Sequence, residues 1–213
     1  AQWLVEDWAA GSNVMEDSIC DLTIGRSKTY LPAPYFRKEF DVSAGVKRAI
    51  VYATAQGVFE LTLNGQRVGD EVFMPGWTDY RKRIYYRAYD VTELLKEGPN
   101  AIGAMLGDGW FRGNISNIGQ NQYGNKLRLK AQLQIDYENG NSETLATDSS
   151  WRATTGPIVE SDMQAGEVYD ARRDMPGWNS PGFDASAWSP VVTGSNLNPP
   201  LQAYPGVPVR PMQ

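Results

Sequence analysis

The sequence contains no histidine and a single cysteine, Cys20. Without an imidazole, neither a Ser-His-Asp nor a Cys-His catalytic arrangement can be built. Zinc sites that use imidazole ligands are excluded for the same reason. One cysteine cannot form an internal disulfide, so the cysteine count does not fix the redox compartment. Any chemistry in this chain must therefore use carboxylates, tyrosine, lysine or an oxygen-ligated metal.

Long runs of basic or of apolar residues are also missing. The net charge is −5 and the pI is near 4.9, so we expect no nucleic-acid partner. No apolar stretch reaches the roughly 18 residues that a membrane helix needs, so we expect no membrane partner. No signal peptide is visible at the start of the sequence.

What the chain has in quantity is aromatic residues, glycine and proline. Its 213 residues include 11 Tyr, six Phe and seven Trp, together with 21 Gly and 13 Pro. Aromatic residues favour strands, and glycine and proline favour turns. A hydrophobic fraction of 41% is typical of globular proteins. The composition therefore predicts one large β domain with many turns.

Alternation of apolar and polar residues locates the strands. Residues 127–137 and 58–63 alternate with a period of two, as half-buried strands do. Asn64-Gly65 directly follows the second of these runs and predicts a hairpin, because both residues tolerate positive φ. One short helix is expected at residues 90–95, with Gly98 after it. We predict an all-β fold, an antiparallel jelly-roll β-sandwich with less than about 10% helix.

The same patterns divide the chain into three parts. Residues 1–34 alternate poorly and are interpreted as an N-terminal arm that packs on the body. Residues 35–197 form the jelly-roll β-sandwich. Residues 198–213 contain five prolines and are interpreted as a linker to a downstream domain.

A polar, glycine-rich loop at residues 107–125 is the first candidate site. Sugar hydroxyls need donors and acceptors beside an aromatic face, and the loop offers both. The predicted carbohydrate-binding residues here are Asp108, Trp110, Arg112, Asn114 and Tyr123. The alternative is a structural loop in which Trp110 fills the core and Asp108 binds backbone amides.

Residues 166–172 form the second candidate segment. In an extended strand Glu167 and Tyr169 share one face, and both are predicted to line the sugar site. Asp170 and Arg172 share the other face and are expected to form an ion pair. The alternative reading is that this ion pair only fixes the loop.

Six segments in this order and spacing resemble the N-terminal region of bacterial α-L-rhamnosidases. They are YFRKEF (35–40), LNGQRVG (63–69), PGWTDY (75–80), YDVT (89–92), LGDGWFRG (106–113) and GEVYDAR (166–172). The resemblance runs from about residue 35 to the closing linker. It implies a jelly-roll domain of the galactose-binding type, placed before an (α/α)-barrel hydrolase that carries the catalytic carboxylates. It also implies a periplasmic or secreted protein, with a cytoplasmic location left open.

Some relatives of this domain bind L-rhamnose through a calcium ion, and others only pack against the rest of the enzyme. No cofactor is required, but the resemblance implies a possible calcium site. Its candidate ligands are the carboxylates of Asp108, Glu160, Asp162 and Asp170. The implied partners are an L-rhamnose-containing glycan and the other domains of the same enzyme.

Three functions therefore compete. The chain is either a non-catalytic carbohydrate-binding module of an α-L-rhamnosidase, a scaffold that docks on the catalytic barrel, or an independent enzyme. Glycoside hydrolysis needs two carboxyl groups that face each other across a cleft. Because the sequence shows no convincing pair, we predict that the chain alone is inactive.

Overall fold

Two curled β-sheets account for most of the secondary structure in a computed structural model that describes residues 1–5, 30–194 and 199–212. The strands are β1 (Trp3–Val5), β2 (Pro34–Val42), β3 (Val46–Gln56), β4 (Val58–Leu63), β5 (Gln66–Arg67), β6 (Ile84–Asp90), β7 (Gly98–Gly107), β8 (Arg128–Tyr137), β9 (Ser142–Ala146), β10 (Arg152–Thr155), β11 (Ile158–Asp162), β12 (Gly166–Tyr169), β13 (Ser189–Pro190), β14 (Val192–Gly194) and β15 (Leu201–Ala203). The helical elements are α1 (Gly109–Arg112) and the 3-10 turns Thr92–Leu94 and Ala171–Arg173. Among the described residues no helix is long and apolar enough to cross a membrane.

The larger sheet has seven strands in the order β14-β1-β8-β3-β6-β15, and β9 also pairs with β8. The second sheet has the order β13-β10-β2-β7-β4-β5, and β11 and β12 form a separate hairpin. The pairings of the described strands are antiparallel, except that β15 runs parallel to β6. The all-β prediction is confirmed, while the jelly-roll strand order stays a prediction.

The core lies between the two sheets, where the buried face of each strand is apolar. Along β8 buried and half-buried residues alternate without interruption, which confirms the predicted period of two. The largest fully buried side chains include Trp3, Phe36 and Trp151. At roughly 25 cal/mol per Å², each buried aromatic side chain is a large favourable contribution to folding.

The hairpin predicted at Asn64-Gly65 is present between β4 and β5. Both residues have positive φ, 53° and 81°, as the tight turn requires. The short helix predicted at residues 90–95 is only a 3-10 turn, Thr92–Leu94. Its first residue is held by Asp90, whose Oδ1 accepts from the Thr92 amide at 3.0 Å.

The two ends of the described chain differ from the predicted arm and linker. β1 lies inside the larger sheet, between β14 and β8, and its three residues are buried. Residues 6–29 of the predicted arm, with Cys20, lie outside the described residues. In the predicted linker, β15 pairs with residues 84–86 of β6. Both ends therefore contribute strands to the same sheet.

Candidate functional site

The predicted sugar-binding loop begins where β7 ends and turns at once into α1. This single turn of helix places Asp108 and Arg112 four residues apart, so their side chains meet. The Arg112 Nε donates to Asp108 Oδ1 at 2.7 Å, and Arg112 Nη2 lies 2.6 Å from the same oxygen. Nη2 also donates to the Leu31 carbonyl at 3.3 Å. Asp108 is only 2% exposed, so the pair lies inside the protein.

Burial decides the electrostatics of this pair. Desolvation raises the pKa of Asp108 to about 6, and the nearby carboxylates of Asp162 and Glu160 add to this effect. The Arg112 guanidinium opposes the rise without cancelling it. A buried ion pair of this kind joins segments together, because each charge needs the other once water has been removed.

Asn114 and Asp162 form a second buried pair that ties the loop to the β11–β12 hairpin. Oδ2 of Asp162 accepts from the Asn114 amide at 2.6 Å and from Asn114 Nδ2 at 2.9 Å. Its Oδ1 accepts from the backbone amides of Gln164 and Ala165, both at 2.8 Å. Both carboxylate oxygens are therefore engaged inside the fold. These contacts lie inside the protein, although Asp108 pairs with the Arg112 side chain and not with the backbone amides that the structural-loop alternative expected.

Trp110 points to a different surface from its neighbours in the loop. Its ring stacks on that of Trp77, with centroids 6.1 Å apart and planes 3° from parallel. Phe73 meets Trp110 edge-on at 6.4 Å. Trp77 is 52% exposed and Phe73 is 46% exposed. We call Phe73, Trp77 and Trp110 the aromatic surface.

A tight turn presents this surface. Phe73 has φ 62° and Gly76 has φ 91°, and the Gly76 amide donates to the Phe73 carbonyl at 2.9 Å. Between them Met74 is buried in the core. Trp151 is buried, whereas Trp77 is exposed. The position of Trp77 directly after Pro75-Gly76 was the signal in the sequence for its exposure.

Tyr123, the last candidate of the loop, belongs to the packing behind Trp77. Its ring lies 5.1 Å from that of Tyr80, and the Arg81 guanidinium lies 5.3 Å above it. Tyr123 is half-buried there.

The second candidate segment lies on the exposed β12 strand. Glu167 and Tyr169 are both exposed, and the Tyr169 hydroxyl donates to Asp174. Arg172 donates to both oxygens of Asp170, from Nε at 2.8 Å and from Nη2 at 2.9 Å. These hydrogen bonds lower the pKa of Asp170 to about 2. The expected ion pair is therefore present.

Three of the four predicted calcium ligands are already engaged by other groups of the protein. Asp170 is engaged with Arg172, Asp108 with Arg112, and Asp162 with backbone and amide donors. Within the ranges that the structure describes, no three acidic side chains are grouped to hold a metal ion. The four carboxylates therefore do not fit a calcium ion as a set.

A cavity of about 310 Å³ opens on the outer face of the seven-stranded sheet. Its lining includes Tyr52 and Tyr86, whose rings meet edge-on at 6.2 Å. Lys130, Gln132 and Leu201 complete the rim. These residues belong to no motif in the sequence. Their alternate positions along strands were the available signal, since residues between buried ones must face outward.

The fold thus defines an all-β domain with a buried polar loop, an aromatic surface and a cavity on one sheet face. The profile of the family described as "Alpha-L-rhamnosidase N-terminal domain" matches residues 44–213. This chain belongs to that family.

Individual relatives agree with the family match. An α-L-rhamnosidase of Streptomyces avermitilis is 48% identical over 167 residues, which are 78% of this chain and 16% of that protein. One from an Alteromonas species is 36% identical over 207 residues, 96% of this chain and 22% of that protein. The chain therefore spans about a fifth of the length of these relatives.

Solved structures show the same fold. The Streptomyces avermitilis α-L-rhamnosidase complexed with L-rhamnose superposes with a TM-score of 0.83 at 44% identity, over 86% of this chain and 18% of that one. The α-L-rhamnosidase of Aspergillus terreus gives a TM-score of 0.86 at 37% identity, over 99% of this chain and 23% of that one.

Proposed function

We propose that this chain is a non-catalytic module of an α-L-rhamnosidase and that it docks on the rest of the enzyme through its aromatic surface. The observation that carries the proposal is the exposure of Phe73 and Trp77 beside Trp110. Exposed aromatic clusters of this kind mark contact sites, because leaving them in water is unfavourable. The enzyme as a whole would act on terminal α-L-rhamnose of glycans.

The course of the C-terminal segment supports the choice of partner. The Val72 amide donates to the Val209 carbonyl at 3.0 Å, and Arg210 Nε lies 2.7 Å from both oxygens of Asp70. The Tyr204 ring covers Gly76, where an added Cβ would lie 2.8 Å from it. Residues 204–210 therefore run beside the turn that presents the aromatic surface. In a protein built like the longer relatives, the polypeptide that follows this N-terminal domain starts next to that surface.

The distribution of carboxylates supports a non-catalytic role. A glycosidase needs two carboxyl groups on either side of the scissile bond, roughly 5–10 Å apart. In the part of the chain that the structure describes, no carboxylate lines the 310 Å³ cavity, and Asp108 and Asp162 are paired in the interior. We expect no hydrolysis of an aryl α-L-rhamnoside by this chain. Turnover that Glu160→Gln or Asp162→Asn abolishes would contradict this proposal.

The docking proposal is tested by one substitution in two contexts. In the 213-residue chain, Trp77→Ala removes an exposed ring and one stacking contact, which costs about 1 kcal/mol or less. In an enzyme that carries this chain as its N-terminal part, the same change removes a ring that the next domain covers. It should lower the free energy of unfolding by roughly 2 kcal/mol or more. Thermal unfolding of both proteins measures the difference.

The matched control is Tyr169→Ala, which removes another exposed ring, far along the chain from the aromatic surface. It is expected to have the same small effect in both contexts. Equal effects of Trp77→Ala in the short chain and in the longer enzyme would rule out docking through this surface.

Carbohydrate binding is the second function that we propose. The observation that favours it is the cavity on the seven-stranded sheet, which combines tyrosine rings with amide and ammonium groups. Calorimetric titration with L-rhamnose or a rhamnoside, with and without calcium, tests this function independently of docking. We expect weak binding.

A further inference from the structure

We infer that the cavity between Tyr52, Tyr86 and Gln132 is a binding site for one pyranose ring of a glycan. The inference rests on the second proposed function and gives it a location. It places sugar recognition on a sheet face, away from the loop of residues 107–125.

The strand register builds the cavity from outward-facing residues of neighbouring strands. In β3 the residues Ala53 and Ala55 point into the core, so Tyr52 and Thr54 point outward. Tyr52 is paired with Gln132 of β8. Paired residues on one face lie about 5 Å apart, so the tyrosine ring and the amide border the same space.

The two tyrosines supply the apolar part of the site. Their rings lie edge-on, 6.2 Å apart, and Tyr52 is 40% exposed. One face of a pyranose carries mainly C–H groups, which pack favourably on an aromatic ring. Leu201 of β15 adds an aliphatic side chain to the lining. The parallel strand β15 is therefore part of the site as well as of the sheet.

The polar groups of the lining match sugar hydroxyls. Gln132 offers an amide that both donates and accepts, and Lys130 offers an ammonium donor. The Thr54 hydroxyl is buried and donates to the Tyr85 carbonyl at 2.5 Å, so Gln132 and Lys130 carry the polar contacts to a sugar. Among the described residues, no carboxylate lines the cavity.

The size of the cavity limits the ligand. Ligand pockets usually measure roughly 300–1,000 Å³, so a cavity of about 310 Å³ suits one ring and not an extended chain. A single ring with a methyl group, such as a 6-deoxyhexose, would place that methyl on the apolar lining. The ammonium of Lys130 lies 5.8 Å from the Trp3 ring and is a charged group of the lining. A pyranose that carries a carboxylate is therefore the second class of sugar that fits this cavity, because its carboxylate would pair with the Lys130 ammonium.

The test is a titration of the 213-residue chain with methyl α-L-rhamnopyranoside and, separately, with galacturonate. We expect a Kd on the order of 0.1–1 mM for at least one of them. Tyr52→Ala should weaken binding at least ten-fold, and Gln132→Ala should weaken it similarly. The control Val168→Ala, an exposed residue of β12, should bind like the wild type. Chemical shift changes on titration should centre on the amides of residues 52–54 and 130–132.

Each outcome has one reading. If neither sugar binds, both the site and the carbohydrate-binding function are wrong. If a sugar binds and Tyr52→Ala binds it equally well, carbohydrate binding stands but this site is overturned. Because Tyr52 and Gln132 face solvent, an unchanged Tm of either variant confirms that lost binding is not lost folding. The stronger ligand identifies a neutral or an acidic sugar as the preferred class.

Discussion

Replacing Asp108 by alanine separates an internal ion pair from a ligand-binding carboxylate. Asp108 and Arg112 have side chains that are only 2% and 4% exposed, with their charged atoms 2.6–2.7 Å apart. The substitution removes a buried carboxylate that contacts two nitrogens of the Arg112 guanidinium. Arg112 also donates to the Leu31 carbonyl at 3.3 Å.

The expected loss of stability is large for a single substitution. Removing one partner of a buried ion pair typically costs about 3–5 kcal/mol, because the remaining charge stays desolvated. For a domain of this size, 1 kcal/mol lowers the Tm by roughly 2–4 °C, so the Tm should fall by roughly 6–20 °C. Asp170→Ala breaks an ion pair with Arg172, which is 89% exposed, and should change the Tm little because solvent screens that pair.

Thermal unfolding followed by circular dichroism measures both variants, and a sugar titration of each completes the assay. The reasoning is refuted if Asp108→Ala keeps the wild-type Tm and loses affinity for a rhamnoside. In that case Asp108 would serve the ligand, as the first interpretation of the loop proposed, and not the fold.

The remaining predictions concern pH, the first strand and the last strand. Because burial raises the pKa of Asp108 from its ordinary 3.8 to about 6, its contribution to stability is fully present below pH 3.8 and is lost as the pH rises through 6. Relative to Asp108→Asn, the free energy of unfolding of the wild type, measured with urea, should therefore fall by up to ~3 kcal/mol between pH 4 and pH 7. A rise in this free energy over the same range would contradict the prediction. Leu4→Ala should lower the free energy of unfolding by about 2–5 kcal/mol, since Leu4 is fully buried, and a change below about 0.5 kcal/mol would show that β1 is only a surface arm. The Tyr204 amide, which donates to the Tyr86 carbonyl at 3.1 Å, should be protected from hydrogen exchange, while the amide of Val207, whose side chain is 87% exposed, should exchange fast; equal rates would place β15 outside the folded sheet.

Much of the fold could be predicted because its signals are local. The alternation along β8 and the Asn64-Gly65 turn depend on residues within a few positions of each other. A strand with one buried face must alternate, and a two-residue turn with positive φ must use residues that tolerate it. The six ordered segments added the family, which the matched relatives confirm.

The candidate site was harder to predict because its residue types serve two purposes. An aspartate, an arginine and an asparagine in a glycine-rich loop are suitable for binding sugar hydroxyls and equally suitable for pairing inside a protein. Burial distinguishes internal pairing from sugar binding. These residues are buried by segments that lie far away along the chain. Asp162, 48 residues beyond Asn114, engages its amide, and Leu31 lies 81 residues before Arg112.

The sequence by itself determined the β class, the turns and the family of this protein, because periodicity and turn chemistry act over a few residues. The tertiary structure alone decided that Trp3 would lie in an inner strand of the larger sheet, since the partners of β1 are residues 128–129 and 192–194. It also decided that Trp151 would be buried while Trp77 stayed exposed. The physical reason is that removal from water depends on which distant surfaces meet, and a residue's own neighbours in the chain do not fix that.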